Sequence, residues 1–169
     1  MLEYINKPGN NFNMQTESFD VKKALQLTRI IYFSIIGGMM FFLVIVFSIA
    51  NETFFFSADL TEILFALLLF LSIIAIPGSY FFSAKAIKAL NINDTISKKF
   101  TVYQSALITR MAGCEGVGLF AIVCLLLTSN LFSMVFLIVP LAAMVSYYPQ
   151  AEKIAKEINL SHSETELFK

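Results

Sequence analysis

The sequence is poor in the residues from which enzyme active sites and metal centres are usually built. It has one histidine, His162, and two cysteines, Cys114 and Cys124. Neither cysteine has a metal-ligand spacing, and ten residues of helix would separate the two by about 15 Å, too far for a disulfide. No Ser/His/Asp set, nucleotide-binding loop or pair of carboxylates stands at a spacing that catalysis requires. The sequence therefore predicts no enzymatic chemistry, no cofactor and no metal site.

The sequence also has no excess of positive or negative charge. The 12 basic and 12 acidic residues cancel, and no basic patch interleaved with aromatic residues is present, which argues against a nucleic-acid partner. Apolar residues are abundant instead: they make up 57% of the chain, with 18 phenylalanines. They are gathered into long blocks rather than dispersed at the period of a helix or strand, which indicates a membrane protein.

Four of these apolar blocks are about 18 to 22 residues long, enough for a helix to cross a hydrocarbon core of about 30 Å. They lie at about 30–50, 63–82, 107–128 and 131–148. Because backbone amides in lipid must be satisfied within their own segment, the blocks predict helices. The predicted fold class is all-α, an integral membrane four-helix bundle. It forms one domain at 21–159, between a polar N-terminal arm at 1–20 and a polar C-terminal tail at 160–169.

Local signals mark the first helix and its orientation. Ser18 and Asp20 are alternative caps for a helix that begins near Val21. The basic residues flank span one, join spans two and three, and follow span four: they are Lys22, Lys23, Arg29, Lys85, Lys88, Lys98, Lys99, Lys153 and Lys156. The connections 51–62 and 128–130 carry no base. The positive-inside rule then predicts a bacterial cytoplasmic (inner) membrane protein, with the lipid bilayer as its main partner and both termini in the cytoplasm.

The two halves of the chain share a pattern. A shift of 81 residues aligns Arg29 with Arg110, and a shift of 68 aligns Lys85 with Lys153. Two duplicated helical hairpins that run in parallel would produce such matches. Chance matching between apolar stretches flanked by lysines would produce them too, and both interpretations stay open.

Glu115 is the anomaly of the third span. A charge at the bilayer centre costs about 2.5 to 3.5 kcal/mol, so this carboxylate must face protein or water and be protonated or paired. Arg110 is the nearest base, but five residues of helix turn about 140°, whereas side chains meet at spacings of three or four. Arg110 is therefore interpreted as an anchor whose guanidinium reaches lipid phosphates at the boundary.

Small residues surround Glu115 and form a candidate helix-contact face: Ala112, Gly113, Gly116 and Gly118. Three hypotheses compete for the carboxyl group. In the first it is protonated and donates to a backbone carbonyl or to a serine of another span, one of Ser34, Ser72, Ser133 and Ser146. In the second, Glu115 and Arg110 belong to a reversible proton or cation site. In the third, Glu115 pairs with a base on a partner subunit.

Two prolines also lie in the predicted spans. Pro77 and Pro140 each free a backbone carbonyl. They are interpreted as kinks rather than as the broken helices that line substrate paths in transporters.

Residues 105–130 read SALITRMAGCEGVGLFAIVCLLLTSN, with an Arg, then Glu-Gly a turn or so later, then an apolar run that ends in Thr-x-Asn. The pattern resembles one that recurs in small bacterial four-span membrane proteins with no assigned role. More weakly, the span is similar to the proteolipid c or K subunits of rotary ATPases, in which a membrane carboxylate carries a proton or sodium ion. That similarity implies that Glu115 is an ion carrier.

Two functions are therefore in competition. The architecture and the small-residue face predict a non-enzymatic accessory or structural component, which forms a homo-oligomer or binds another membrane protein. Proton or sodium translocation by a proteolipid-like component that uses Glu115 is the alternative.

Overall fold

The computed structural model describes residues 20–49, 53–58 and 63–160, and these residues are mostly helical. Five helices follow one another: α1 (Val21–Ile49), α2 (Ile63–Lys88), α3 (Ile96–Thr128), α4 (Ser133–Ser146) and α5 (Ala151–Glu157). The all-α prediction is confirmed. Nearly all of the predicted arm and tail lies outside the described residues, as do Ser18, His162 and most of the connection 51–62.

The three longest helices, α1, α2 and α3, are each long and apolar enough to cross a membrane. Large apolar side chains cover their outward surfaces: Phe41 on α1 and Phe82 on α2 are each 68% exposed. Leaving such a side chain in water forgoes about 1.5 to 3 kcal/mol of burial free energy, so a chain with this many of them requires lipid around it. The structure is therefore that of a membrane protein.

The fourth predicted span, 131–148, is shorter than expected and bent. α4 has 14 residues, which corresponds to about 21 Å of helix. α5 continues it after a bend of 84°, and only the bent pair taken together adds a fourth crossing. Pro149 lies in the bend, where it lacks an N–H donor and disfavours a helical conformation for the residue before it. The apolar run alone could not predict this bend.

The prolines within the helices do not break them. α2 continues past Pro77, and α4 continues past Pro140. Both observations agree with the prediction that neither proline creates a broken transmembrane helix.

α3 is the central helix of the bundle. α1, α2 and α4 all pack against it, whereas α1 and α2 have little contact with each other. The Gln104 side chain donates to Thr28 Oγ1 at 2.9 Å near one end of the contact between α1 and α3, and Met39 lies against Gly118 farther along. α1 and α3 therefore run in the same direction. Because α3 and α4 pack closely while α1 and α2 do not, the two hairpins are not packed alike, and their duplication stays a hypothesis.

The described basic residues gather at one end of the bundle, called the lysine end here. It contains the N-termini of α1 and α3, the C-terminus of α2, and α5. Asp20 Oδ1 accepts hydrogen bonds from the backbone N–H groups of Lys22 and Lys23 at 3.0 and 3.2 Å. Asp20 is thus the N-cap of α1, which was one of the two predicted alternatives. Thr95 caps α3 by accepting from the backbone N–H of Lys98 at 3.3 Å.

At the opposite end, Asn130 clamps the first connection to the turn between α3 and α4. Its side chain is buried, donates to the Ser57 carbonyl at 2.9 Å and accepts from the Ser57 N–H at 3.1 Å. The Phe55 backbone adds hydrogen bonds to Ser129 and Leu131 at 3.1 and 2.8 Å. The last residue of the Thr-x-Asn pattern therefore has a structural role in this chain.

Two glycines of α3 allow its neighbours to come close. A Cβ added to Gly113 would lie 2.5 Å from Ser79 Cβ and 2.9 Å from the Ala75 carbonyl oxygen, both on α2. A Cβ added to Gly118 would meet Met39 on α1 and would lie 3.2 Å from Leu137 Cδ1 on α4. Small residues at such points let helix backbones approach in a membrane, where packing replaces the hydrophobic driving force.

We expect Gly113→Ala to destabilise the bundle, because the Ala75 carbonyl belongs to a helix backbone that cannot turn aside as a side chain can. Overpacking of this kind costs about 1 to 3 kcal/mol, which would lower the midpoint of thermal unfolding in detergent. Gly78→Ala on α2 is the matched control, since its Cβ would meet nothing within 4 Å. It should raise stability by up to about 1 kcal/mol through helix propensity. An unchanged midpoint for Gly113→Ala would contradict the close packing of α2 on α3.

Candidate intramembrane polar site

The two predicted polar residues both lie on α3 but point in different directions. Arg110 and Glu115 are five residues apart, which rotates their side chains by about 140°. Arg110 is buried and 6% exposed, whereas Glu115 is half-buried at the edge of the packed surface. The ion-pair partner of Arg110 is Glu157 rather than Glu115. Arg110 and Glu115 are therefore not paired with each other, as the helical spacing indicates, and the structure does not bring them together in one site. Whether Glu115 is part of an ion site stays a prediction.

The Arg110 guanidinium joins three helices. Its Nη2 forms an ion pair with Glu157 Oε1 on α5, and its Nε donates to Ser83 Oγ on α2 at 2.8 Å. The guanidinium carbon lies 5.2 Å from the centroid of the Tyr80 ring and 5.8 Å from that of the Tyr147 ring. Both distances are within the range of cation–π attraction. The charge is therefore neutralised, hydrogen-bonded and bounded by aromatic rings.

This geometry corrects the interpretation of Arg110 as an anchor that reaches outward. A guanidinium removed from water needs a counter-charge and hydrogen-bond acceptors, and Glu157 and Ser83 supply both inside the bundle. Arg29, its counterpart under the 81-residue shift, lies in a different environment: it is half-buried, with its Nε 3.5 Å from the Pro149 carbonyl oxygen.

Sequence reasoning missed Glu157, although a signal for it was present. Ile154 and Ile158 are four residues apart and both are buried, which is the spacing of an amphipathic helix. Glu157 borders that apolar face, so it was a candidate to turn toward the bundle. No feature of the sequence around Glu157 indicates that the bend after α4 brings this carboxylate to Arg110.

Glu115 lies between a buried and an exposed row of α3. Met111 and Gly118, one turn before and after it, are buried, whereas Ala112 and Gly116 are exposed. Within 20–49, 53–58 and 63–160, no group forms a hydrogen bond or an ion pair with its carboxyl group. The first hypothesis, in which Glu115 donates to a carbonyl or serine inside the bundle, does not describe this structure.

The serines named in that hypothesis form other contacts. Ser72, Ser133 and Ser146 each donate to a backbone carbonyl three or four residues earlier in the chain, at 2.6 to 3.0 Å. Ser34 is exposed on α1. Short hydroxyl side chains commonly donate in this local way, and none of the four accepts a hydrogen bond from Glu115.

The candidate helix-contact face divides into two parts. Gly113 packs against α2, and Gly118 packs against α1 and α4, so these two glycines contact helices of the same chain. Ala112 and Gly116 are exposed, and a Cβ added to Gly116 would meet nothing within 4 Å. The structure therefore leaves their predicted contact with another helix untested.

These exposed residues lie on what we call the open side of α3, the side between α1 and α2. In the half nearer the lysine end, mainly small residues at helical spacing line this side: Ser105, Thr109, Ala112 and Gly116, all exposed. Glu115 and Ile108, which is 42% exposed, lie at its edge. Toward the end that contains Asn130, Leu126 and Leu127 line this side and are 37% and 67% exposed. The open side thus changes along its length from large apolar residues to mainly small and polar ones.

We expect Glu157→Gln to destabilise the protein, because it leaves the buried Arg110 charge without its counter-ion. Breaking a fully buried pair costs about 3 to 5 kcal/mol. Glu157 is 25% exposed, and solvent screening reduces the expected loss to about 1 to 3 kcal/mol. Thermal unfolding in detergent would measure it, with Glu152→Gln, an exposed position on the same helix, as the control. Equal midpoints for the two variants would show that the pair does not fix α5.

Comparisons of the chain with protein-family models, with curated proteins and with solved structures find no match. The resemblance of residues 105–130 to small bacterial four-span proteins, and the weaker similarity to rotary proteolipid subunits, therefore stay predictions.

Proposed function

We propose that this chain is a non-enzymatic membrane component that associates along the open side of α3 with another transmembrane helix. One observation carries the proposal. The Glu115 carboxyl group has no partner among the described residues and lies beside exposed small residues of the same helix.

The surroundings of Glu115 determine the free energy of its carboxyl group. A charged carboxylate within the hydrocarbon costs about 2.5 to 3.5 kcal/mol, and intramembrane acids normally face protein or water. A helix laid on the open side would shield the group from lipid and could supply its hydrogen-bond partner. Ala112 and Gly116 would let the two backbones approach closely, as small-xxx-small pairs do in membranes.

A second copy of this chain is the partner that the geometry favours. Two copies inserted in the same direction can be related by a two-fold axis along the membrane normal, which places identical residues at the same height. Glu115 and Glu115 of the partner subunit would then lie at the same height on opposite edges of the contact, each beside the helix of the other subunit. A protonated carboxyl group has both a donor and an acceptor, so each could form a hydrogen bond with a carbonyl or hydroxyl group of the other subunit without a base.

We also propose in which membrane the protein lies and which of its ends faces the cytoplasm. The lysine end would face the cytoplasm of a bacterial cell across its inner membrane, in accordance with the positive-inside rule. The described residues that connect helices at the opposite end, 53–58 and 129–132, carry no charged side chain. This asymmetry supports the orientation.

We expect Gly116→Leu to weaken self-association at least tenfold without lowering the stability of the monomer. The leucine would fill the space a second backbone needs, whereas no atom of the described residues lies within 4 Å of the added Cβ. The dimer fraction would be measured by single-molecule photobleaching in liposomes over a range of protein densities. Gly78→Leu, the same change at an open position of α2, should leave the dimer intact. A native protein that stays monomeric at every density would refute self-association.

Ion translocation through Glu115 is the second candidate, and the same observation favours it. A carboxyl group that carries a proton or sodium ion must not be fixed in a permanent ion pair, and Glu115 has none with a described residue. The similarity to rotary proteolipid subunits points in the same direction.

Glu115→Gln separates the two functions, because an amide retains hydrogen-bonding capacity but cannot titrate. If the protein only self-associates, we expect the Glu115→Gln variant to remain dimeric. Proton and sodium fluxes in liposomes that contain the native protein or the variant should then equal those of protein-free vesicles. Under ion translocation the native protein should give a flux that the variant reduces at least tenfold. Glu152→Gln, exposed on α5, is the control for loss of a carboxylate. If Glu115→Gln abolishes the flux and Glu152→Gln does not, Glu115 carries ions and the proposed structural role is wrong.

A further inference from the structure

A cleft opens at the lysine end where α2, α3, α4 and α5 meet. Its volume is about 420 Å³, within the size range of small-molecule sites. The side chains that matter for its chemistry are Tyr80, Arg110, Tyr147, Lys153, Lys156 and Glu157, all of which line it. Arg110, the α3 residue of the cleft, lies about 140° around the helix from Glu115, so the cleft is separate from the open side and independent of the proposed function.

The lining carries more positive than negative charge. Arg110, Lys153 and Lys156 contribute three cations, and Glu157 contributes the one carboxylate among the residues of this cleft. Glu157 is already engaged by the Arg110 guanidinium. A second anion that enters the cleft would therefore meet two lysines that this carboxylate does not neutralise.

The Arg110 guanidinium is held rigidly but is not saturated. It has five N–H donors, of which Ser83 and Glu157 each engage one. No fully buried nitrogen or oxygen of a described side chain lacks a partner, so Nη1, which forms no hydrogen bond with a described residue, keeps some exposed surface, and Arg110 lines the cleft. Tyr80 and Tyr147 contact the guanidinium by their ring faces. The group is preorganised, with donors to spare.

The two lysines lie at the mouth of the cleft. Lys153 Nζ donates to the Ser146 carbonyl at the C-terminal end of α4, which holds the ammonium group close to the cleft. Lys156 lies in the last turn of α5, is exposed, and forms no ion pair with any residue of the described ranges. Both ammonium groups can turn toward a ligand without a change of fold.

We infer that this cleft binds a phosphate ester with a net negative charge. A planar guanidinium and nearby ammonium groups are the combination that recognises phosphate oxygens in proteins. The bend of 84° turns α5 away from the axis of α4, and Lys85 and Lys88 at the C-terminus of α2 lie in the same part of the bundle. Basic residues of membrane proteins cluster near the level of the phospholipid phosphates, and basic pockets between transmembrane helices bind anionic head groups. The headgroup of an anionic phospholipid is therefore the favoured source of the phosphate, and a soluble phosphate ester is the other source of the same chemistry.

The test uses the full-length protein in detergent and native mass spectrometry to measure bound ligand. Dihexanoyl phosphatidylglycerol is titrated against dihexanoyl phosphatidylcholine, which has the same acyl chains but no net charge. We expect the anionic lipid to bind at least tenfold more tightly, and Lys153→Gln/Lys156→Gln to reduce that affinity at least tenfold. Lys85→Gln/Lys88→Gln is the matched control, because it removes two charges from the lysine end outside the cleft.

Glycerol 3-phosphate and inorganic phosphate form the second arm. If either displaces the lipid at equal concentration, the cleft is a phosphate site whose ligand is soluble; if neither does, the ligand is the lipid headgroup. Equal binding of the two lipids would overturn the inference. An equal loss of affinity in the two double-lysine variants, or a loss below tenfold in the cleft variant, would also overturn it. The lysines are exposed, so both variants should fold. A midpoint of thermal unfolding equal to that of the native protein, measured without lipid, would verify that they do.

Discussion

A guanidinium buried in an apolar helical bundle must have a counter-charge, and this requirement organises the lysine end of the protein. Arg110 is 6% exposed and is joined to Ser83 on α2 and Glu157 on α5. Glu157 reaches it only because the chain bends after α4 and returns across the end of the bundle. The desolvation of both charges offsets much of their attraction. The pair therefore contributes to the position of α5, together with the buried side chains of Ile154 and Ile158.

Close packing around α3 is the second constraint, and it leaves one side of that helix open. Gly113 brings α2 near, and Gly118 brings α1 and α4 near. α1 and α2 then stand on either side of an uncovered stretch that includes Ala112 and Gly116. Large apolar side chains would suit lipid on such a surface. Small residues beside a carboxyl group suit a helix better, because they offer lipid little area and leave room for a second backbone.

The sequence predicted those features of the fold that depend on composition and local geometry. The lengths of the apolar blocks indicated the transmembrane helices, and Asp20 was recognisable as a cap because a cap acts on the next few residues. The separation of Arg110 from Glu115 followed from the angle between residues of one helix. Each of these inferences needs only a short stretch of chain.

Features that depend on how the helices meet could not be predicted in the same way. Gly113 and Gly116 are the same residue type in the same stretch, yet one contacts α2 and the other is uncovered. Only the placement of the neighbours distinguishes them. The partner of Arg110 is 47 residues away along the chain, and it depends on a bend that shortens the fourth span. Three of the four serines expected near Glu115 donate to backbone carbonyls three or four residues away, and the sequence alone does not show which way the fourth, Ser34, faces.

The contrast between Arg110 and Glu115 follows from their positions on one helix. Five residues separate them by about 7.5 Å in depth and about 140° in direction. Arg110 therefore faces the junction of α2 and α5, where Glu157 and Ser83 bind it. Glu115 faces the edge of the open side, where no described residue forms a hydrogen bond or an ion pair with it. An ion pair within the bundle stabilises it, whereas an intramembrane carboxyl group without a partner is unfavourable until another group contacts it. The two proposals therefore assign different ligands to the two parts of α3: an anion at the surface of the membrane and a helix within it.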